Sequence, residues 1–440
     1  MKLNIRRTVL IGTAFLSICA FWQMYNSVIP LMLTNTFHIN ETFSGAIMAA
    51  DNVLALFLLP LFGSLSDKSR SPLGKRRPYI LRGTIAAVIL MLLIPVLDDS
   101  YSSAPSSWKI FLFILVLGCL LVAMGSYRSP AVALMPDVTP KKLRSKGNAV
   151  INLMGAVGGI LYLLLASVLY SSKTEGHVSY LLLFVIVAAI MIVSLLILMT
   201  RIDERALEKE MTAYEALHPE EDLTEKDSSG NAYIPAPVKK SLFFLLASIA
   251  FWFIGYNAVE TWFTTYACSV WDMSLGKASL CLTIATAGAI ISYIPIGEIA
   301  SRIGRRKTIM SGIVLLSACF FTMFLYSRFS HSFHPALYLL FMLVGLAWAA
   351  INVNSLPMVL EMCRESDIGR FTGFYYTFSM SAQIITPILA GFLMNHIGYQ
   401  SLFPYSALFT ALSFVTMMFV RHGDSKLISK RGLEAFDVDD

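Results

Sequence analysis

Residues 180–200 read YLLLFVIVAAIMIVSLLILMT and contain no charged side chain. A membrane-spanning helix needs about 20 mostly apolar residues, because the hydrocarbon core of a bilayer is about 30 Å thick. This stretch meets that requirement, and eleven comparable runs occur elsewhere in the 440 residues. The strands of a membrane β-barrel would be about half as long and would alternate in polarity. The sequence therefore predicts an all-α polytopic membrane protein with twelve spans.

The predicted spans form two groups of six, separated by a polar segment. The first group comprises Val9–Leu33, Phe43–Leu65, Tyr79–Leu97, Ile110–Met135, Ala149–Tyr170 and Tyr180–Thr200. The second group comprises Ser241–Ala267, Ala278–Ala300, Thr308–Tyr326, Ala336–Leu360, Thr372–Asn395 and Leu402–Val420. We therefore predict an N-terminal bundle at 1–200, a cytoplasmic linker at 201–240, and a C-terminal bundle with a short tail at 241–440. Within the linker, Arg205–Leu217 has the pattern of an amphipathic helix, although the whole segment can equally be a simple tether.

The composition excludes several classes of protein. Hydrophobic residues make up 56% of the chain and charged residues 14%, and the mean hydropathy is +0.66. Soluble domains are about 25% charged, so a cytoplasmic enzyme, a nucleic-acid-binding protein and a disordered protein are excluded. Lys and Arg are retained on the cytoplasmic side of membrane proteins. With both termini cytoplasmic, 29 of the 34 Lys and Arg residues fall on that side, which predicts this orientation for a multi-pass protein of the cell membrane.

The two groups of spans resemble each other in sequence. Phe21-Trp22-Gln23-Met24-Tyr25-Asn26 in span 1 corresponds to Phe251-Trp252-Phe253-Ile254-Gly255-Tyr256-Asn257 in span 7, with one inserted residue. Pro136-Asp137 at the end of span 4 corresponds to Pro357 and Glu361 at the end of span 10. Two pseudo-symmetric six-helix bundles are typical of transporters that bind their substrate between the halves, near the bilayer midplane.

Two loops resemble a known family signature. Residues 297–306, GEIASRIGRR, resemble the loop motif of the major facilitator superfamily, with Ser301 in place of the usual Asp. Residues 63–78, GSLSDKSRSPLGKRRP, keep the Asp but are longer before the second Gly, as in the glycoside–pentoside–hexuronide:cation symporters. Together with Arg128-Ser129-Pro130 in span 4, this form is most similar to the branch of sucrose transporters and their bacterial relatives. The resemblance covers the whole chain and implies the twelve-helix fold of that superfamily.

The resemblance also bears on the coupling ion. Melibiose-permease-like members of the family carry two carboxylates one turn apart in span 2, which they use for sodium. Here Asp51 is followed by Ala55 and Leu59, so that pair is absent. The departure favours protons over sodium and makes Asp51 a candidate proton carrier.

Three charged residues lie well inside predicted spans, away from the span ends: Asp51, Arg128 and Glu260. A charge at the bilayer centre costs about 2.5–3.5 kcal/mol on insertion scales, so such residues face a cavity or a partner. Asp51 and Glu260 are predicted to carry the coupling cation, to bind substrate or to form structural ion pairs. For Arg128, a purely structural pairing is the alternative to a role in the site.

Aromatic and amide side chains at similar depth complete the predicted substrate site. Trp252, Tyr256 and Glu260 are spaced i, i+4, i+8 and are expected on one face of span 7. Rings can cover the apolar face of a sugar, while amides and carboxylates bond its hydroxyl groups. Each amide can instead serve an interhelical hydrogen bond. The full predicted set is Trp22, Tyr25, Asn26, Arg128, Trp252, Tyr256, Asn257, Glu260, Trp348, Asn352, Tyr376 and Gln383.

Other features predict a conformational latch and packing rather than binding. Charges at Asp67, Arg76, Arg302 and Arg305 near the cytoplasmic face can pair in one conformation and separate in another, although retention of positive charge explains most of the basic residues. Gly155 and Gly159 have the spacing of a close helix contact. The six cysteines show no metal-ligand spacing, so neither a metal site nor a cofactor is predicted.

These observations predict a secondary active transporter that couples proton entry to uptake of a sugar or glycoside, such as a disaccharide, by alternating access. Its expected partners are the substrate, the coupling cation and membrane lipid, and it is expected to be a monomer. Lipid- or drug-like substrates are the alternative within the same fold. An intramembrane enzyme is a further alternative, but the sequence contains no His-Glu-x-x-His or Gly-x-Ser-x-Gly motif, and the repeat argues against it.

Overall fold

The computed structural model describes residues 4–139, 144–172, 176–217, 236–330, 332–362 and 368–424. Within these ranges all regular secondary structure is helical, and twelve helices are long and apolar enough to cross a membrane. The predicted all-α fold with twelve spans is therefore confirmed. Most of the predicted linker after Leu217 and the tail after Asp424 lie outside the described residues.

The helices of the first half are α1 (Ile5–Leu31), α2 (Glu41–Asp67), α3 (Arg77–Ser103), α4 (Ser107–Asp137), α5 (Arg144–Leu169), α6 (Leu181–Arg201) and α7 (Glu204–Leu217). Those of the second half are α8 (Ala236–Val270), α9 (Leu275–Ile303), α10 (Arg305–Phe329), α11 (Ala336–Leu360), α12 (Ile368–Ile397) and α13 (Leu402–Met418). Several exceed the predicted spans at both ends, because polar residues continue a helix beyond its apolar centre. The amphipathic segment of the linker is helical, as α7.

The helix ends follow local sequence rules. The side chain of Asn4 accepts a hydrogen bond from the backbone N–H of Arg7 and thereby caps α1. Ser274 caps α9 in the same way through the N–H of Lys277. After Pro30, α1 continues as one π-helical turn, Met32–Thr36. Gly304, with a φ of 97°, separates α9 from α10 and gives the chain the left-handed backbone needed there.

The chain folds into two compact units. The first comprises Met1–Ile39 and Ala50–Thr224, and the second comprises Asn40–Ala49 and Glu225–Asp440, so far as the residues are described. In the first unit α1 packs on α5 and α6, and α3 packs on α4 and α6. In the second unit α8 packs on α12 and α13, and α10 packs on α11 and α13. The same pairings recur in both, which agrees with the sequence repeat.

One glycine on α5 sets the closeness of its contact with α1. A Cβ atom at Gly158 would overlap the backbone carbonyl of Leu16, so only glycine permits this approach. Of the two predicted packing glycines, Gly155 lies against Cys19 Sγ, whereas a Cβ at Gly159 would meet only Gln23 Oε1, at 3.9 Å. Gly159 is buried and also faces α1, but with more room. The tightest approach of α5 to α1 is therefore at Gly158.

Candidate functional site

In the first unit, Trp22 and Tyr25 of α1 form an aromatic pair beside a cation. Their rings meet edge to face with centroids 5.5 Å apart. The guanidinium carbon of Arg128, on α4, lies 5.8 Å from the centre of the Trp22 ring. This distance allows a cation–π attraction. The structure thus brings predicted site residues of α1 and α4 together.

Asp51 of α2 is the acidic member of the same group. Its carboxylate accepts hydrogen bonds from the backbone N–H of Asn52 at 2.6 Å and from the Asn52 side-chain amide at 2.9 Å. It is attracted to Arg128 and is close enough to the Tyr25 hydroxyl to act on it electrostatically. Opposite charges at membrane depth commonly pair in this way. We call Trp22, Tyr25, Asp51 and Arg128 the Trp22 cluster.

Two donors of the Trp22 cluster are buried without a partner among the described residues. Trp22 Nε1 and the Tyr25 hydroxyl make no hydrogen bond to any described residue. A buried polar group without a hydrogen bond costs about 1–3 kcal/mol, so native proteins leave few of them. Such atoms are explained when a ligand or water supplies the missing partner. Asn26, the neighbour of Tyr25, is half-buried.

In the second unit, a three-ring stack joins α8 to α11. The rings of Tyr256 and Trp348 lie face to face, with centroids 3.8 Å apart and planes inclined by 10°. Phe253 meets Trp348 edge to face at 5.4 Å. Phe253 was not among the predicted site residues, although its position in the aromatic run 251–253 was a possible signal. We call Tyr256, Trp348 and Phe253 the Tyr256 stack.

Glu260 follows Tyr256 by one helical turn and is half-buried. Trp252, one turn before Tyr256, lies in a different environment. Trp252 is completely buried among the apolar residues of the second unit's core. The three residues were predicted to lie along one face of span 7, with aromatic packing as the alternative to a binding role, and the burial of Trp252 favours packing for this residue. Trp252 packs, and the half-buried part of the face begins at Tyr256.

The amides near the Tyr256 stack fall into two groups. Asn257 is buried, and its Nδ2 makes no hydrogen bond to a described residue, so it resembles the unpartnered donors of the first unit. Asn352 is buried one turn after Trp348. Asn354 instead donates to the carbonyl of Ala350, one turn earlier in the same helix, at 2.9 Å, so its amide is used within α11.

Two predicted residues of α12 lie on half-buried positions. Tyr376 meets Tyr375 edge to face with centroids 5.5 Å apart. The Tyr375 hydroxyl lies 3.1 Å from Ser355 Oγ and thereby joins α12 to α11. Gln383 is also half-buried.

At one end of the first unit, Arg76 joins three helices. Its Nε donates to Asp137 at the end of α4 at 2.8 Å, and its guanidinium also pairs with Asp67 at the end of α2. Its Nη1 donates to Ser66 Oγ and to the carbonyl of Gly63. Burial disfavours the charged form of Arg76, but the pairing with Asp137 and Asp67 outweighs it and raises the pKa of Arg76.

The linker helix α7 is anchored to the same end of the first unit. The buried carboxylate of Glu204 accepts hydrogen bonds from three successive backbone N–H groups, those of Lys75, Arg76 and Arg77. These groups begin α3, where a negative charge is stabilised by the helix dipole. Glu208 binds the Lys75 side chain, and this hydrogen bond raises the pKa of Lys75. The start of the linker is therefore part of the first unit.

The corresponding end of the second unit repeats this design with fewer carboxylates. Arg305 pairs with Glu361 at the end of α11, as Arg76 pairs with Asp137. The backbone N–H of Arg306 donates to Asp424 at 3.3 Å, which occupies the role of Glu204. Ser301 stands at the position that corresponds to Asp67 in the first unit. Of the two predicted latch arginines in this unit, Arg305 holds the paired position and Arg302 is exposed.

A comparison with family models identifies the family to which this chain belongs. The Major Facilitator Superfamily model matches residues 11–278 and 269–437. The chain belongs to the Major Facilitator Superfamily. This major facilitator protein is accordingly a multi-pass membrane protein of a transporter family rather than an enzyme. Its solved neighbours include the xylose transporter XylE from E. coli in an inward open conformation, with a TM-score of 0.69, 13% identity, and 97% and 98% of the two chains covered.

Two sequence relatives cover smaller parts of the protein. The uncharacterized protein YqgE of Bacillus subtilis (strain 168) is 28% identical over 200 residues, 43% of this chain and 44% of the relative. The sucrose transport protein SUC3 of Arabidopsis thaliana is 32% identical over 153 residues, 32% of this chain and 25% of the relative. The matched part thus spans less than half the length of these curated relatives.

Proposed function

We propose that this protein is a proton-coupled symporter that takes up a sugar or glycoside across the cell membrane by alternating access. The observation that carries the proposal is the shared chemistry of the two units. Each offers aromatic rings together with buried donors that have no hydrogen-bond partner in the part of the chain that the structure describes: Trp22 Nε1 and Tyr25 OH in the first unit, and Asn257 Nδ2 in the second.

This chemistry suits a neutral polyol. A sugar presents hydroxyl groups that accept and donate hydrogen bonds, and a face of C–H groups that packs on aromatic rings. An anionic substrate would call for more cations at membrane depth than Arg128 alone. A lipid or drug would be expected to bind mainly apolar side chains. The similarity to a sucrose transport protein supports the same choice.

The coupling ion is tested by uptake into proteoliposomes. With Asp51 standing alone where sodium-coupled relatives place two carboxylates, we expect an inward proton gradient to drive accumulation of a disaccharide. A panel of sugars, glycosides and lipid- or drug-like compounds would be supplied under separate proton and sodium gradients. Collapse of the pH gradient by an uncoupler is the control. Uptake that requires sodium and ignores the pH gradient would refute proton coupling, and uptake of only apolar compounds would refute the sugar assignment.

The Arg76 network is proposed as a latch on the cytoplasmic face that favours one conformation. Asp67 is 60% exposed and Arg76 8% exposed, so Arg76 has a rigid position while Asp67 can leave it. An ion pair this exposed contributes at most about 1 kcal/mol, which corresponds to about a fivefold change in population.

Asp67→Asn is therefore expected to reduce transport by up to about fivefold while leaving substrate affinity near normal. Initial uptake rates in proteoliposomes and calorimetric binding to the detergent-solubilised protein would separate the two effects. Glu208→Gln, which removes the neighbouring exposed pair with Lys75, serves as the matched control. Loss of binding in well-folded Asp67→Asn would place Asp67 in the substrate site and contradict the latch.

A further inference from the structure

A group of potential metal ligands lies at the opposite end of α3 from Arg76, outside the substrate site. His177, in the connection between α5 and α6, directs Nε2 at Asp99 Oδ1, 2.8 Å away, and at Asp98 Oδ2, 3.6 Å away. One ligand atom from each of the three residues lies within 4.8 Å of the others. Ser179 Oγ donates to the second oxygen of Asp99 at 2.7 Å and fixes that carboxylate.

The buried carboxylate of Asp98 is the feature that requires a ligand. The side chain of Asp98 is 0% exposed, and neither oxygen accepts a hydrogen bond of ordinary geometry from a described residue. The Thr36 side chain lies within reach of it as a weak hydrogen-bond donor, and His177 and Asp99 act on it through their charges. The nearby cation Lys109 is used elsewhere, since its Nζ donates to the carbonyls of Ser100 and Ala104.

We infer that Asp98, Asp99 and His177 form a Zn²⁺ site that fastens the end of α3 to the α5–α6 connection. Zn²⁺ binds imidazole and carboxylate ligands at about 2.0–2.2 Å, so tetrahedral ligand atoms lie about 3.3 Å apart. The observed separations of 2.8 and 3.6 Å bracket that value. The imidazole favours Zn²⁺ over Mg²⁺ and Ca²⁺, which prefer oxygen ligands.

Charge and access agree with this assignment. A divalent cation neutralises both carboxylates, whereas a protonated His177 leaves one negative charge uncompensated beside a fully buried acid. His177 also lines a cavity of about 380 Å³, together with Thr36, His38 and Tyr101. The cavity gives the ion a path to the ligands and room for a water molecule as the fourth ligand. No pattern in the sequence indicated this site, because more than seventy residues separate His177 from the two acids.

The experiment uses the full-length protein in detergent after removal of any histidine tag. Co²⁺ would be titrated while its visible absorption is followed, and Zn²⁺ would then be added in competition. We expect one Co²⁺ per chain with the intense absorption of a tetrahedral site, displacement by Zn²⁺, and a higher unfolding temperature with Zn²⁺ bound. Loss of a residue that only supports a metal ligand weakens affinity about 10–100-fold. His177→Gln and Asp98→Asn remove ligands themselves and should therefore weaken it by roughly a hundredfold or more.

The control is His334→Gln, which changes an exposed histidine in the connection before α11 and should retain full affinity. If Asp98→Asn does not fold, the affinity of Asp99→Asn for Co²⁺ is measured instead. Unchanged affinity in the folded ligand variants would overturn the proposal. So would an unfolding temperature that depends on His177 and pH but is unaffected by Zn²⁺, because that result would assign the group to proton binding.

Discussion

Glu260→Gln is expected to abolish accumulation of substrate against its gradient. Glutamine keeps the size and hydrogen-bonding groups of the side chain but cannot exchange a proton. Glu260 lies one turn beyond the Tyr256 stack, in a position for which the repeat offers no counterpart: span 1 has Ile29 and Pro30 at that depth. The carboxylate of Glu260 is therefore best explained by a function that only the second half of the chain carries. Intramembrane acids commonly carry protons in transporters.

Two measurements separate the possible roles of Glu260. If it carries the coupled proton, exchange of substrate down its gradient should survive in Glu260→Gln, because exchange requires no net proton movement. If it binds the sugar, both binding and exchange should fall. A charge-assisted hydrogen bond is worth about 1.5–3 kcal/mol, so the affinity should then decrease by roughly ten- to a hundredfold.

Glu298→Gln provides the matched control, since Glu298 is an exposed acid on α9 and should leave accumulation unaltered. Binding would be measured by calorimetry and exchange by efflux of labelled substrate from preloaded proteoliposomes. Normal accumulation by Glu260→Gln would contradict both roles and leave Asp51 as the remaining candidate for coupling.

Sequence was sufficient for the features that depend on average hydropathy and on the repeat. A span of about 20 apolar residues has no alternative in a bilayer, because every backbone group must be hydrogen-bonded internally. For that reason the twelve spans were predictable. The correspondence of Asp137 with Glu361 was also predictable from order along the chain, and each acid does bind the matching arginine, Arg76 or Arg305.

Features that depend on helix rotation or on distant pairings were not predictable. Trp252 has the spacing of a site residue, but the rotation of α8 buries it in the core. The tightest contact of α5 with α1 is at Gly158, which the small-residue spacing of Gly155 and Gly159 did not indicate. The anchoring of α7 by Glu204 joins residues 127 to 129 positions apart, and no local pattern indicates which acid of the linker caps α3.

The Trp22 cluster allows a sharper test of the second intramembrane acid, Asp51. Asp51→Asn is expected to abolish proton-driven accumulation, since asparagine cannot carry a proton. It also removes the negative charge that attracts Arg128 electrostatically, and this loss is expected to lower stability. Loss of transport in the single variant could therefore reflect either lost coupling or lost stability.

The double variant Asp51→Asn/Arg128→Gln separates these effects. It removes both charges, so the penalty for an unpaired cation disappears and the unfolding temperature should return toward that of the wild type. If Asp51 served only to neutralise Arg128, accumulation should return with stability. Because Arg128 belongs to the predicted substrate site, Arg128→Gln alone is the control for transport as well: we expect it to keep part of the proton-driven accumulation, and the double variant to be as stable but to lose accumulation completely. Recovered accumulation would assign Asp51 a structural role, and coupling would then rest on Glu260.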